Sequence, residues 1–470
     1  MKVLLINPPS MNEISSNTPS IVDEEQGFFP PLGIMYVAAY AEKYTDHEIT
    51  ILDTQAEQLE YDQIEDEIRK RKPDVVGITA MTFSLIDSML AVNAVKRVNK
   101  NTIVVMGGPH VSIFPEETIN LPGIDYLLMG EGEFAFVELL QNLDDKNKLK
   151  NIKGLVFKEN GNIVNTGSPD FIKDLNTLPY PARHLTPHKK YRSILSKESY
   201  ITTMVTSRGC PFSCTYCNRP HMGKVFRNRT ADNILDEMAE CLKMGIREIS
   251  IYDDTFTVNR KRVLDICEGI LDRGLKIRWD IRTRVDVIDK ELLIKLGEAG
   301  CDRIHYGIEA GTADILKVLK KGTNLEQIQE AITWTKEAGI STLAYFMIGS
   351  PGETREQIMQ TINLARKLEP DFAHFSITTP FPATELYESG LQQGIIKEDY
   401  WREFSKNPSI DFEAPYWAEK LSREELVELI NLAYKSFYVR PKYILKSAIR
   451  VRSFEEFRRK AKAGLKVFRM

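Results

Sequence analysis

The stretch that decides the fold reads Tyr200-Ile-Thr-Thr-Met-Val-Thr-Ser-Arg-Gly-Cys210-Pro-Phe-Ser-Cys214-Thr-Tyr-Cys217. A short run with the composition of a buried strand leads directly into three cysteines with the spacing C-x-x-x-C-x-x-C. Three thiolates at this spacing can wrap one face of an iron–sulfur cube and leave the fourth iron without a protein ligand. The stretch therefore predicts an open metal position, where a small molecule can bind the metal directly.

Two other interpretations of the cysteines remain open at this point. Zinc accepts three cysteines and one histidine, so Cys210, Cys214, Cys217 and His221 are also the ligand set of a closed zinc site. The three cysteines could also be buried without any metal. The other three of the six cysteines follow helix or strand patterns and are expected in the core: Cys241, Cys267 and Cys301.

The cysteine spacing, with the aromatic Tyr216 before the last cysteine, resembles the radical S-adenosylmethionine (SAM) superfamily. The resemblance implies that Cys210, Cys214 and Cys217 are catalytic residues that hold a 4Fe–4S cluster. It also implies that the open iron binds SAM, which is cleaved by reduction to a 5′-deoxyadenosyl radical. An external reductant such as flavodoxin or ferredoxin is then an expected partner.

Length and composition set the frame for this chemistry. The 470 residues are enough for two or three domains, and the nearly balanced charges are typical of a soluble globular protein. Cysteine usage fits a reducing compartment, and the apolar run at the N-terminus is too short for a signal peptide. Since no stretch reaches the roughly 20 apolar residues that span a bilayer, the expected location is cytoplasmic.

Strand and helix patterns alternate through residues 1–143. Strands are predicted at 2–6, 48–52, 74–79, 102–106 and 125–128, with helices near 33–42, 61–71, 85–98 and 134–143. This order predicts a doubly wound parallel sheet of the Rossmann-like kind. In such sheets a ligand binds beyond the carboxyl ends of the strands.

The loops at those carboxyl ends are rich in glycine and hydroxyl side chains, which allow close approach of a ligand and hydrogen bonding to it. The first loop has two prolines where a dinucleotide would need G-x-G-x-x-G, so a dinucleotide is not expected. The candidate cofactor contacts are Asn7, Pro8, Thr79, Ala80, Met81, Thr82, Gly107, Gly108, His110, Gly130, Glu131 and Gly132. His110 has a second interpretation, as a turn residue that bonds backbone.

Three segments extend the resemblance to the cobalamin-binding radical SAM enzymes, the group with the anaerobic Mg-protoporphyrin monomethyl ester cyclase and several C-methyltransferases. They are Pro30-Pro31-Leu32-Gly33, Gly107-Gly108-Pro109-His110 and Gly130-Glu131-Gly132-Glu133. The resemblance implies cobalamin in residues 1–143, although the D-x-H-x-x-G segment that donates an axial histidine elsewhere is missing. No cysteine precedes Cys210, which argues against tRNA methylthiotransferases with their second cluster.

Residues 144–195 predict a hairpin followed by an extended connector, and residues 196–395 return to alternation of strand and helix. Six strands are predicted at 200–206, 248–252, 276–282, 303–308, 342–348 and 373–378. Repeated units of this length predict a partial (β/α)6 barrel with functional residues at the strand carboxyl ends. Residues 396–470 are expected to form a helical, basic C-terminal region.

The resemblance implies SAM contacts in the loops after these barrel strands. The implied residues are Tyr216, Asp253, Asp254, Arg282, Glu309, Gly349 and Pro351. Each also has a structural interpretation. Asp253 and Asp254 suit a helix N-cap, Arg282 could pair with Asp280, and the Gly349 segment could be a simple turn.

Two histidines on inward-facing strand positions, His305 and His374, are candidates for the substrate pocket, with satisfied core histidines as the alternative. Aromatic residues in the barrel are compatible with a small, hydrophobic or lipid-like substrate. From Lys435 to Met470 the chain carries twelve Lys or Arg and two Glu. This basic end predicts either a helix packed on the barrel or peripheral contact with an anionic membrane. No motif for nucleic acid is present.

The expected function is hydrogen abstraction from the substrate followed by methyl transfer from methylcobalamin to an unactivated carbon. A cobalamin-dependent radical cyclase, oxidase or rearrangement enzyme without methyl transfer is the first alternative. A non-catalytic sensor that binds zinc or cobalamin is the second.

Overall fold

The computed structural model describes residues 1–14, 27–218 and 221–449, with side chains described as far as residue 445. Strands and helices alternate along most of this length, as the hydrophobic periods predict. Two sheets, of seven and six strands, organise the molecule, and two small antiparallel pairs accompany them.

The first sheet contains the predicted parallel strands and two more. Its strands are β1 (Lys2–Asn7), β3 (Glu48–Asp53), β4 (Val75–Thr79), β5 (Ile103–Gly107), β6 (Tyr126–Leu128), β7 (Leu155–Glu159) and β8 (Asn162–Asn165). The order is β3-β1-β4-β5-β6-β7-β8, with β7 and β8 antiparallel to their neighbours. The hairpin predicted in the connector therefore belongs to the first sheet. Sequence periodicity identified the hairpin but could not show which edge it joins.

Helices cover both faces of this sheet. They are α1 (Leu32–Tyr44), α2 (Thr54–Glu57), α3 (Tyr61–Arg71), α4 (Leu85–Val98), α5 (Pro109–Ile113), α6 (Pro115–Ile119), α7 (Gly132–Asn142) and α8 (Lys146–Leu149). One core lies beneath α3 and α4, and another lies beneath α1 and α7. Helices on both faces of a sheet are typical of the doubly wound arrangement. This is the arrangement that the sequence predicts.

The second sheet is the predicted partial barrel. Its strands are β10 (Thr202–Met204), β13 (Glu248–Ile251), β14 (Arg278–Thr283), β15 (Cys301–Glu309), β16 (Ser341–Ile348) and β17 (Phe372–Ile377), and the small pairs use β2 (Gly27–Phe28), β9 (Arg192–Ser193), β11 (Ser207–Arg208) and β12 (Arg227–Asn228). The six strands are parallel and stand in chain order. The sheet is open, so its first and last strands do not pair with each other.

The outer helices are α9 (Ala231–Lys243), α10 (Arg260–Asp272), α11 (Lys290–Glu298), α12 (Ala313–Val318), α13 (Leu325–Glu337), α14 (Arg355–Leu368), α15 (Glu385–Gln392), α16 (Tyr400–Lys406), α17 (Arg423–Tyr438) and α18 (Pro441–Ile449). Helix α17 covers the edge strand β17. The Tyr434 hydroxyl bonds the backbone N and O of Phe375, and the Tyr438 hydroxyl does the same for Ala373. These tyrosines satisfy edge groups that would otherwise be open to another strand.

The C-terminal region does not form one separate unit. Helix α16 packs with the first sheet's core through the buried Trp401 and Phe404, whereas α17 packs on the barrel. Residues 450–470, which make up most of the basic segment proposed for membrane contact, lie outside the described residues. Within the described part of the chain, no helix is both long and apolar enough to cross a bilayer.

Candidate active site between the two sheets

The three motif cysteines lie in a loop that is closed at its neck. Strands β11 and β12 pair antiparallel and bring the two ends of the loop together. Gly209 has φ +84°, and a Cβ on it would lie 2.3 Å from the carbonyl oxygen of Val225, so the close approach at the neck requires glycine. Cys210 and Cys214 are half-buried and Cys217 is exposed, which leaves the thiols accessible from the barrel mouth.

An arginine that the sequence did not single out lies against this loop. Arg284 donates from Nη1 to Sγ of Cys214 over 3.6 Å, and its guanidinium stacks 3.9 Å from the ring centre of Phe212. Asp286 accepts two hydrogen bonds from Arg284 at 2.9 and 2.8 Å and fixes its direction. The loop therefore has a guanidinium held beside the Cys214 thiol. Strand alternation predicts Arg282 and Arg284 on one face, and the resemblance pointed to Arg282. Because β14 ends at Thr283, Arg284 turns toward the cysteine loop instead.

Glu309, which the resemblance implies as a SAM contact, lies against the cysteine loop. It ends β15 with φ +71°, and its Oε1 accepts from the Tyr216 hydroxyl at 2.9 Å and from Lys321 Nζ at 2.8 Å. Burial, together with Glu309 and the Cys214 sulfur, raises the pKa of Tyr216 well above its usual range. The sequence did not predict a role for Lys321, because only the turn after α12 brings its ammonium to Glu309.

The first aspartate of the Asp253-Asp254 loop holds the exit of β10. Asp253 is buried and accepts hydrogen bonds from the backbone N of Thr206 at 2.6 Å and from the hydroxyl of Ser207 at 2.5 Å. Neither aspartate is the N-cap of the following helix. That cap is Asn259, whose side chain accepts from the backbone of Arg262. The N-cap interpretation of the aspartates is therefore wrong, and a direct SAM contact through Asp253 would compete with these bonds.

Arg282 faces the interior of the barrel rather than the cysteine loop. Its Nη1 donates to the carbonyl oxygen of Ile251 at 3.0 Å, and its guanidinium stacks 3.6 Å from the ring centre of Tyr252. Asp280 is 3.5 Å away, so the structural ion pair is present but long. The side chain keeps a quarter of its surface exposed and remains available to an anionic group.

The Gly349–Pro351 turn is shaped by helix α17. Gly349 has φ +77°, and a Cβ there would lie 2.9 Å from a methyl group of Leu426. The backbone N of Ser350 donates to Glu353 at 3.0 Å. Burial raises the pKa of the Glu353 carboxyl to about 7, and its second oxygen has no partner in the described protein. The turn thus presents backbone and one buried carboxyl near the barrel mouth.

The two candidate pocket histidines lie on either side of one tyrosine. His305 Nδ1 is 3.0 Å from the Tyr345 hydroxyl, and the rings of Tyr345 and His374 are 5.5 Å apart. Burial lowers the pKa of His374 to about 4, and burial with Arg282 lowers that of His305 well below its usual range. The inner face of the barrel therefore carries these rings beside the buried Asp280 and Arg303 and the partly exposed guanidinium of Arg282.

At the carboxyl edge of the first sheet, several predicted cofactor residues already bind or closely contact other groups of the protein. Asn7 donates to Asp53 at 2.8 Å, and a Cβ on Gly108, where φ is +100°, would lie 2.6 Å from the oxygen of Ala80. These two positions shape the loops and do not offer free side chains.

The remaining cofactor candidates differ in what they present. Thr82 and His110 share a 3.1 Å hydrogen bond, while Nε2 of His110 is buried without a partner in the described protein. Met81 is exposed. Pro8 and Ala80 are buried, whereas Thr79, Gly107, Gly130 and Gly132 are half-buried. Glu131 is buried and turns toward the barrel, where it accepts from Arg208.

The carboxyl edges of the two sheets face each other. The Tyr36 hydroxyl reaches the oxygen of Val205 at 3.4 Å, and the rings of Phe29 and Tyr252 are 5.8 Å apart. Arg208, two residues before Cys210, pairs with Glu131 after β6 at 2.8 Å. The cysteine loop and the glycine-rich loops therefore border one shared region.

Comparison with known proteins agrees with this arrangement. The model of the radical SAM superfamily matches residues 204–365, and the model of the B12 binding domain matches residues 20–140. An uncharacterised methyltransferase of Pyrococcus horikoshii is 36% identical over 450 residues, which are 95% of this chain and 94% of that protein. The chain belongs to the cobalamin-dependent radical SAM family.

Other members of the family and two solved structures are similar over most of the chain. The anaerobic magnesium-protoporphyrin IX monomethyl ester cyclase of Cereibacter sphaeroides is 30% identical, covering 89% of this chain and 68% of its own length. TsrM from Kitasatospora setae, solved with cobalamin and a 4Fe–4S cluster, has a TM-score of 0.73 at 18% identity over 94% of this chain and 89% of its own. OxsB, solved with aqua-cobalamin and SAM, has a TM-score of 0.75 at 19% identity over 99% and 72%. The similarity to TsrM and OxsB shows the fold of this chain.

Membership in the cobalamin-dependent radical SAM family confirms the predicted fold class, enzyme class and cofactors. The protein is an enzyme that uses a 4Fe–4S cluster, SAM and cobalamin, and it needs a reductant and a small-molecule substrate. A non-catalytic sensor is therefore not its class. The radical SAM match over residues 204–365, which contains the cysteine motif, favours a 4Fe–4S cluster over the closed zinc interpretation with His221.

The residues present fit the three cofactors of the cobalamin-dependent radical SAM family. Three accessible thiols share one loop at the carboxyl ends of the strands, which suits a cluster that takes one thiolate on each of three irons. The opposite edge offers an exposed methionine and a buried imidazole nitrogen without a partner, both in the loops predicted to contact cobalamin. The two sets lie on the edges that face each other.

Proposed function

We propose that this cobalamin-dependent radical SAM enzyme methylates an unactivated carbon of a small molecule with a hydrophobic skeleton. The single observation that carries the proposal is that the cysteine loop and the cobalamin edge meet, joined by Arg208 and Glu131. When bound, the cofactors supply a 5′-deoxyadenosyl radical and a methyl group. A substrate between the edges would be within reach of both.

Side chains of the chain itself would position the reactants. Cys210, Cys214 and Cys217 would hold the cluster, and Glu309 would accept from the ribose hydroxyls of SAM, with Tyr216 and Lys321 fixing the carboxylate. Arg284 and Arg282 are the two cations that could receive the SAM carboxylate. Arg284 has the better position, because it already contacts the cysteine loop.

The inner barrel face supports a substrate with a hydrophobic skeleton. Tyr252, Tyr345 and His374 supply rings. The lowered pKa values of His305 and His374 favour their neutral imidazoles, which suit an apolar skeleton better than charged ones. Relatives named for hydrophobic substrates include the hopanoid C-3 methylase of Methylococcus capsulatus, 24% identical over 79% of this chain. Arg282 would then receive one polar or anionic group of the substrate.

Radical chemistry without methyl transfer is the second candidate. The observation that favours it is the similarity to the anaerobic cyclase of Cereibacter sphaeroides over 89% of this chain. In that case, hydrogen abstraction would be followed by ring closure or oxidation of the substrate. Flavodoxin or ferredoxin would supply the electron to the cluster in either case.

A labelling experiment separates the two candidates. The enzyme, reconstituted without oxygen, is incubated with SAM carrying a deuterated methyl group, a reductant, and either a lipid extract or a polar-metabolite extract. We expect 5′-deoxyadenosine and a product of the lipid fraction with the label on carbon. Label-free products formed together with 5′-deoxyadenosine would contradict methyl transfer and support the cyclase-type reaction.

Replacement of one cluster ligand provides the control for radical chemistry. In Cys214→Ala, one of the three cluster ligands is lost, and we expect no 5′-deoxyadenosine under reducing conditions. The matched variant is Cys241→Ala, which changes a buried cysteine in helix α9 and keeps the motif intact. Retained SAM cleavage in Cys214→Ala would contradict the assignment of the cluster ligands.

A further inference from the structure

Four charged residues at the boundary between the two domains form a closed, buried cluster, here called the interdomain charge cluster: Glu131, Glu133, Arg208 and Arg227. Arg208 donates from Nη1 to Glu131 at 2.8 Å and from Nη2 to Glu133 at 2.5 Å. Arg227 donates from Nη1 to the other oxygen of Glu131 at 2.7 Å. All four side chains are less than a tenth exposed.

Backbone groups add further hydrogen bonds to this cluster, while Nε of Arg227 is buried without a partner in the described protein. The backbone N of Ile172 donates to Glu131 at 2.7 Å, and Arg227 donates to the carbonyl oxygens of Ile172 and Met222 at 2.7 and 2.8 Å. Burial disfavours the charged guanidinium of Arg208, but Glu133 and Glu131 outweigh it, and the pKa of Arg208 is raised. The four side chains therefore bind one another at short distances and have little contact with solvent.

The position of the cluster in the chain links the two cofactor edges. Glu131 and Glu133 follow β6, in the loop at the carboxyl edge of the first sheet and in the first turn of α7. Arg208 is in β11 and Arg227 is in β12, the two strands that close the neck of the cysteine loop. One carboxylate, that of Glu131, thus binds both ends of the loop to the opposite domain.

Stability alone does not account for charges at this place. Replacing a buried ion pair with hydrophobic residues of similar size is often neutral or stabilising, so an apolar contact would join two domains as well. A forked guanidinium bound to carboxylates fixes both distance and direction, because its hydrogen bonds allow one geometry. The interdomain charge cluster therefore restricts how the cysteine loop is oriented relative to the first sheet.

We propose that the interdomain charge cluster sets the distance and orientation between the iron–sulfur cluster and cobalamin. Its four members are positioning residues, which act through the cysteine loop and touch no reacting atom. This role rests on the proposed function, in which both cofactors serve one substrate. It also assigns the side chain of Glu131, a candidate cobalamin contact in the sequence, to the barrel instead.

The magnetic interaction between the two cofactors tests this role directly. In the reconstituted holoenzyme, the reduced cluster and cob(II)alamin each carry an unpaired electron, and electron paramagnetic resonance reports their dipolar coupling. We expect the coupling of the wild-type enzyme to shift in Glu131→Gln, with iron and cobalamin content unchanged. A wild-type coupling in this variant would overturn the proposal, and so would loss of cobalamin, which would make Glu131 a direct contact.

Two further variants keep the test decisive if Glu131→Gln folds poorly. Arg208→Lys keeps the charge but loses the fork, so we expect a shifted coupling in a stable protein; an unchanged coupling would overturn the proposal. The matched control is Glu248→Gln at the amino end of β13, a buried carboxylate that accepts from the backbone of Lys197 and Glu198. This control should lose stability and keep the wild-type coupling; a shifted coupling there would assign the effect to general loosening.

The same variants separate this inference from the proposed function. The coupling requires neither substrate nor methyl transfer, so an enzyme that performs a different reaction could still show the expected shift. Conversely, the wild-type enzyme could methylate its substrate while Glu131→Gln and Arg208→Lys keep the wild-type coupling. That result would support the proposed function and contradict the role of the interdomain charge cluster.

Discussion

The ammonium of Lys321 lies 2.8 Å from Oε1 of Glu309, and both side chains are less than a tenth exposed. The Tyr216 hydroxyl donates to the same oxygen. A Cβ on Gly307 would lie 2.4 Å from that oxygen, so the absence of a side chain there makes room for the pair. Glu309 is thus held ready at the barrel mouth by a cation, a phenol and a glycine.

Glu309→Gln should weaken both SAM binding and the fold. The substitution leaves the Lys321 ammonium buried without its counter-charge, and breaking a buried pair in this way costs about 3–5 kcal/mol. Anaerobic equilibrium dialysis with SAM and denaturant unfolding measure the two effects. Glu385→Gln, which breaks the exposed pair with Lys320, should change stability by less than about 0.5 kcal/mol. Unchanged SAM affinity in Glu309→Gln would argue against a SAM contact.

Arg284→Gln should lower the reduction potential of the iron–sulfur cluster. The positive charge beside Cys214 favours the more negative, reduced cluster, and its hydrogen bond to sulfur acts in the same direction. A loss of about 1 kcal/mol corresponds to about 40 mV for a one-electron couple. A redox titration followed by electron paramagnetic resonance measures the shift. Arg260→Gln, which breaks an exposed pair with Asp289, should leave the potential unchanged.

Gly108→Ala should impair cobalamin binding through the shape of the loop. The added Cβ would meet the oxygen of Ala80 at 2.6 Å, so one of the two loops must move. Gly161→Ala is the matched control, because Gly161 has a similar positive φ but nothing within 4 Å of the added atom. Cobalamin retained after gel filtration, measured from its absorbance, should fall only in Gly108→Ala. Equal retention in both variants would contradict a role of this loop.

The buried histidines should make the protein less stable in acid. Burial lowers the pKa of His110 to about 3 and that of His374 to about 4, whereas an unfolded histidine titrates near about 6.5. As the pH falls below about 6.5, the unfolded chain binds protons that the native protein does not, so stability is lost. The loss approaches about 1.4 kcal/mol per pH unit for each histidine until the pH reaches the folded pKa.

Denaturant midpoints at about pH 7 and about pH 5 test this pH dependence. His374→Gln should show a smaller difference between the two midpoints, because one proton-binding difference is gone. His184→Gln, at an exposed position on the connector, serves as the control and should keep the wild-type difference. A His374→Gln variant with the wild-type pH dependence would show that this imidazole does not remain neutral.

Local patterns predicted the fold well because β1 and β3–β6 of the first sheet and all six strands of the second are parallel, and helices cover them. Helices α3 and α4 have the bounds that hydrophobic periodicity predicts, and each strand core lies where the apolar run lies. The cysteine loop and Glu309 were also predictable, since motif spacing and strand alternation are local properties. The family resemblance implied Tyr216 and Glu309 each as a SAM contact, but not the hydrogen bond between them.

Contacts between distant segments were not predictable. Glu131 and Arg208 are 77 residues apart, and nothing in either neighbourhood indicates the other. Arg284 follows the last residue of β14, where strand alternation no longer applies, so its turn toward Cys214 could not be read from the sequence. The capping of α10 by Asn259 rather than Asp253 also depended on where the chain turned after β13.

The antiparallel hairpin β7–β8 has a consequence for how such genes can recombine. It extends the first sheet beyond residue 143, and the segment after it delivers Ile172 to Glu131 and Arg183 to Glu237 at 2.6 Å. An exchange of first domains with a crossover at residue 143 would separate β6 from its partner strand. A crossover after Asn165 keeps the sheet whole and leaves Arg183 with Glu237, but it separates Glu131 from Ile172, Arg208 and Arg227, so the second parent must supply matching partners for Glu131. Inheritance of the two cofactor modules is therefore coupled by the segment between them, which binds Glu131 on one side and Glu237 on the other.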